Sequence, residues 1–72
     1  MTDDQPLNLY TCVLLDAANH VLKILSNEFP DESAAMKHAV ITVFSIDAAA
    51  GYELWLNGQR VARFMKPGPG RS

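Results

Sequence analysis

The chain has 72 residues, 49% of them hydrophobic and 19% charged, with a formal net charge of −2. That is enough chain for one small domain, too apolar for disorder throughout, and acidic where nucleic-acid binders are usually basic. A domain of this size buries only about 60% of the surface its unfolded chain exposes, so a disulfide, a metal or oligomerisation is the usual reinforcement.

The single cysteine, Cys12, cannot form an intramolecular disulfide and fits a reducing compartment. The opening Met-Thr-Asp-Asp-Gln-Pro carries acids where a secretory signal carries bases. No apolar run approaches the roughly 20 residues of a membrane span. A cytoplasmic protein without membrane attachment is expected. Residues 1–36 hold six acids and one base, whereas residues 37–72 hold five bases and two acids, so the two halves are oppositely charged.

Residues Leu7 to Leu15, LNLYTCVLL, are rich in strand-forming types and contain no breaker. Leu9, Thr11, Val13 and Leu15 alternate with Tyr10, Cys12 and Leu14, so both faces are apolar and alternation leaves the orientation open. Asp16-Ala17-Ala18-Asn19 has turn-closing residues at its ends and predicts a hairpin loop. His20 to Leu25 predicts the second strand.

Pro30 disfavours helix before it, Asp31 suits the N-cap, and Glu32 complements the helix dipole, so a helix is expected to begin at Glu32. Gly51 predicts its end, near Ala49 or Ala50, as a positive-φ C-terminal cap. At helical spacing Ala35, Met36, Ala39, Val43, Ile46 and Ala50 share one face, with Val40 on its flank. Ile41 and Phe44 lie away from it without an internal partner. Asp47 near the predicted C-terminus opposes the dipole.

Asn57-Gly58 between two strand-like runs predicts a type I′ hairpin turn. Two-residue register then pairs Leu56 with Gln59, Trp55 with Arg60, Leu54 with Val61, Glu53 with Ala62 and Tyr52 with Arg63. Trp55, Arg60 and Glu53 fall on one face. The run KPGPGRS from Lys66 predicts a flexible tail.

No zinc site is expected from His20 and His38, which lack neighbouring ligands, and no Gly-rich phosphate loop or nucleophile motif occurs. Cys12 has no flanking base or helix N-terminus to activate it and suits a small apolar strand position. Asp31 and Glu32 are explained by capping. Trp55 with Arg60, Arg63, Lys66 and Arg71 allows stacking on single-stranded nucleic acid, against the simpler expectation of a cross-strand cation–π pair between Trp55 and Arg60.

The strings LLDAANHV at 14–21, DESAAMKHA at 31–39 and ELWLNGQRVARF at 53–64 resemble a group of small uncharacterised proteobacterial ββαββ proteins. The third string, with Glu53, Leu54, Trp55, Gly58, Arg60 and Val61, is the most specific. The loop departs from the group in having Ala18-Asn19 where a glycine commonly precedes the His-Val pair. The resemblance implies the fold and supplies no site residues.

The expected fold class is therefore α+β, a ββαββ chain whose two hairpins form an antiparallel-rich sheet with one helix on one face. Residues 1–6 are expected to be disordered, 7–65 to form the domain and 66–72 to be flexible. If Leu9, Val13, Leu54 and Val61 face the helix, Tyr10, Cys12, Leu14 and Trp55 line the uncovered face. Tyr10, Ile41, Phe44, Trp55 and Arg60 are the candidate interaction residues, with association expected through the sheet face, a sheet edge or the Ile41/Phe44 side of the helix. The functional expectation is a non-catalytic protein-interaction or regulatory module, self-associating as a homo-oligomer and using no cofactor or metal. The alternative is a nucleic-acid-binding module using Trp55 and the nearby arginines.

Overall fold

The computed structural model of the chain describes residues 7–67. The expectations for residues 1–6 and for the tail beyond Pro67 lie outside the described residues. Two antiparallel hairpins flank one helix in the order β1 (Asn8–Leu15), β2 (Val21–Phe29), α1 (Glu32–Ser45), β3 (Gly51–Leu56) and β4 (Gln59–Met65). The strands form one sheet ordered β2-β1-β3-β4, with every neighbouring pair antiparallel.

The first hairpin closes on Asp16, whose Oδ1 accepts from the N–H groups of Ala18 (2.9 Å) and His20 (2.8 Å). Asn19 takes the positive φ of 70° that the turn requires, a conformation asparagine tolerates better than most residues. β2 is longer than expected and runs on to Phe29, because nothing in Ser26–Phe29 breaks a strand and β1 supplies partners as far as Asn8.

The second hairpin turns on Asn57 (φ 54°) and Gly58 (φ 78°), the paired positive values of the expected type I′ turn. Its register holds for Leu56 with Gln59 and Trp55 with Arg60, then slips. Val61 is the extra residue of a bulge, so Leu54 pairs with Ala62, Glu53 with Arg63 and Tyr52 with Phe64. The bulge lets both Val61 and Ala62 pack against the core.

α1 begins as expected. Asp31 is the N-cap and its Oδ1 accepts from the Ala34 N–H at 2.9 Å. It ends earlier, at Ser45, with Ile46 as an extended C-cap. Thr42 and Ser45 turn their hydroxyls back onto the His38 and Ile41 carbonyls, an arrangement that competes with helix propagation. Stopping there places Asp47 just beyond the C-cap, outside the helix. Ala49 is buried, and Ala50 donates its N–H to the Leu15 carbonyl at 2.7 Å, leading the chain into β3.

Gly51 is therefore no helix cap. It lies in β3 and is absent from the positive-φ positions. A Cβ there would fall on the Phe64 carbonyl oxygen and the Met65 sulfur and lie 2.9 Å from Met65 Cα. The glycine is demanded by close backbone approach.

Alternation and register fix the two faces of the sheet. Tyr10, Cys12 and Leu14 of β1 lie directly opposite Leu56, Leu54 and Tyr52 of β3, and this set faces Ala35, Ala39 and Val43 of α1 in the core. The two helix alanines let the backbone approach closely. An α-helix with its side chains is about 10 Å across and strands lie about 4.8 Å apart, so one helix shelters about two strands. Burial follows that limit: the fully buried strand residues all belong to β1 and β3, and none to β2 or β4.

Two measurements test this packing. Gly51→Ala should lower stability by about 1–3 kcal/mol, the usual cost of overpacking, read from urea unfolding. Asp16 is held below the ordinary carboxylate range, chiefly by the His20 N–H. Its carboxylate therefore stabilises the fold above the usual carboxylate pKa, and this contribution is lost as pH falls through the lowered folded value. The stability gap between the native chain and Asp16→Ala should narrow on acidification from pH 7 to pH 3.

Candidate interaction surface

The side of the sheet away from α1 is built in cross-strand rows. One row runs Ser26, Thr11, Trp55 and Arg60; the next runs Ile24, Val13, Glu53 and Arg63; Glu28 and Leu9 lie beyond the first. The β1–β2 half is thus largely apolar or small and uncharged, and the β3–β4 half carries charge. Leu9 and Ile24 are 57% and 61% exposed.

Glu53 organises the charged half. Its Oε1 accepts from Trp55 Nε1 at 3.2 Å, and its Oε2 is 3.3 Å from Arg60 Nη1 and 4.0 Å from Arg63 Nε. The indole and both guanidinium groups are therefore tethered to one half-buried carboxylate. The expected Trp55–Arg60 cation–π pair is replaced by this shared partner; the cation that sits over a ring is Lys66, with Nζ 5.1 Å from the Phe44 centroid.

Arg63 also donates from Nη2 to Asn19 Oδ1 at 3.1 Å, tying the β1–β2 loop back to β4. Leu15 points to this side of the sheet yet is only 4% exposed and lies outside the core cluster. The Arg63–Asn19 hydrogen bond lies at the same end of the sheet.

The five candidate residues lie in three separate places. Tyr10 is 3% exposed and packs edge-on against Phe29 beneath the helix. Its place on an uncovered face, with Cys12 and Leu14, is corrected: Cys12 and Leu54 are direct partners and so share the helix-facing side. Trp55 and Arg60 lie on the uncovered face. Ile41 and Phe44 are exposed on the far side of the molecule, where Phe44 leans on Phe64 at 5.9 Å between centroids. Beside them, Glu32, Ser33, Met36, Lys37, Val40 and Ile41 line a shallow open depression along one flank of α1.

Lys66 belongs partly to the fold, since its N–H donates to the Ala50 carbonyl at 2.6 Å. His20 lies 3.6 Å from Asp16 in the turn, and His38 packs on Phe29. Cys12 is buried, and that burial pushes its thiol pKa up. Among the described residues no group of three His, Cys, Asp or Glu side chains gathers to hold a metal, and no helix is long and apolar enough to cross a membrane.

Sequence reasoning missed the concentration of exposed apolar side chains on the first hairpin. Of the seven large exposed hydrophobics among the described residues, Leu7, Leu9, Val21, Leu22 and Ile24 lie on or immediately before it. The apolar content of β2 is visible in the sequence; that the helix touches this strand at Phe29 and leaves most of it exposed depends on strand order. The chain matches no family model, no curated protein and no solved structure.

Removing the Glu53 carboxylate tests the charged half. Glu53→Ala should cost about 0.5–1 kcal/mol, as for partly exposed ion pairs. The fluorescence of Trp55, the only tryptophan, should shift to the red and become more accessible to iodide.

Proposed function

We propose that the protein is a small interaction module that works by self-association through the surface of its β1–β2 hairpin. The observation that carries this reading is the set of exposed apolar side chains on that hairpin, Val21, Leu22 and Ile24 towards its turn and Leu9 at its open end, on and beside an edge strand that α1 touches at Phe29 but leaves mostly exposed. Large apolar side chains left uncovered by the fold are a feature of interaction surfaces, and a domain of this size gains stability from a partner. The nucleic-acid alternative draws less support, because Trp55, Arg60 and Arg63 are engaged by Glu53.

Sedimentation equilibrium at high micromolar concentration tests the proposal. The average mass should rise from 7.9 kDa towards twice that value as concentration increases. Ile24→Glu, at an exposed position where the fold should change by no more than about 0.5 kcal/mol, should return the chain to the monomer. A native chain that stays monomeric throughout would contradict the reading.

A further inference from the structure

The two edges of the sheet differ. β4 is interrupted by the bulge at Val61, and its Phe64 is covered by Phe44 while Lys66 caps that ring. β2 has no strand beyond it among the described residues, and most of its side chains are exposed on both faces. Its regular stretch is bounded by the irregularity at Leu22 and by Pro30, which has no N–H to donate, leaving Lys23–Phe29 in unbroken register with β1. The outward backbone groups of that stretch form a template that another strand satisfies best.

Resting on the self-association proposed above, we infer that the occupant is β2 of a second copy, paired antiparallel about a two-fold axis at Ser26 to give a continuous eight-stranded sheet. Ser26 is the midpoint of Lys23–Phe29, so this register uses the whole uninterrupted edge. Lys23 and Glu28 stand near opposite ends of the stretch. Antiparallel pairing about Ser26 places the two Lys23 side chains at opposite ends of the interface and the two Glu28 side chains likewise, whereas in-register parallel pairing brings each to the level of its own copy.

A two-fold axis normal to the sheet also preserves its faces. On the uncovered face Ser26 meets its own copy and Ile24 meets Glu28; on the helix face Leu25 meets Asn27 and Lys23 meets the ring of Phe29, a favourable cation–aromatic contact. Seven residues from each copy make an interface at the low end of the size range, so the dimer should form in a concentration-dependent way.

Cysteine crosslinking with a short bismaleimide at high micromolar concentration tests the register. Cys12 is buried, so the native chain is the control. Ser26→Cys is a mild change at an exposed site and should crosslink efficiently as a dimer. Ile24→Cys and Glu28→Cys should not, because each lies about 13 Å along the strand from its own counterpart.

A chain that sediments as a dimer but crosslinks through Val13→Cys or Ile41→Cys, and not Ser26→Cys, overturns the edge pairing and leaves self-association standing. A chain that neither sediments as a dimer nor crosslinks at any of these positions overturns both.

Discussion

One helix has to cover four strands, and its width sets what the rest of the molecule can be. α1 sits over the two central strands, where Ala35, Ala39 and Val43 meet Tyr10, Cys12, Leu14, Tyr52 and Leu54. The close approach permitted by the two alanines gives a dense but narrow core. Whatever lies outside that width has to be protected by other means or left to solvent.

The two sides of the sheet solve this differently. On the β4 side, aromatic contacts extend the core outward: Phe64 stacks on Tyr52, Phe44 leans on Phe64, and Lys66 covers Phe44. On the uncovered face, Glu53 gathers Trp55, Arg60 and Arg63, and Arg63 ties the first loop to β4. On the β2 side Phe29 extends the core, against Tyr10 and His38, while Val21, Leu22 and Ile24 stay exposed. Those exposed side chains and the backbone edge of β2 are the part of the molecule that folding leaves unfinished, which is why the functional proposal rests there.

Much of this fold is legible from residue types with local physical meaning. Asp31 caps the helix it was expected to cap, and Asn57-Gly58 makes the turn its positive φ values require. The failures occur where tertiary proximity decides. Gly51 carries the signature of a helix cap, but the nearness of Phe64 and Met65 accounts for it. The bulge at Val61 leaves no local mark in an alternating strand. The orientation of β1, apolar on both faces, is settled by its pairing with β3, a contact between distant segments. Trp55 and Arg60 lie together, as the Asn57-Gly58 turn predicts, whereas that same orientation and the helix separate Tyr10, Ile41 and Phe44 from them.

The central claim is that β2 is the unfinished edge and that a second copy completes it. Amide hydrogen exchange followed by NMR at increasing protein concentration measures this directly. The account predicts that alternate amides within Lys23–Phe29, those pointing away from β1, gain protection as concentration rises while the central amides of β3 are unchanged. Exchange along β2 that is independent of concentration into the high micromolar range would contradict it.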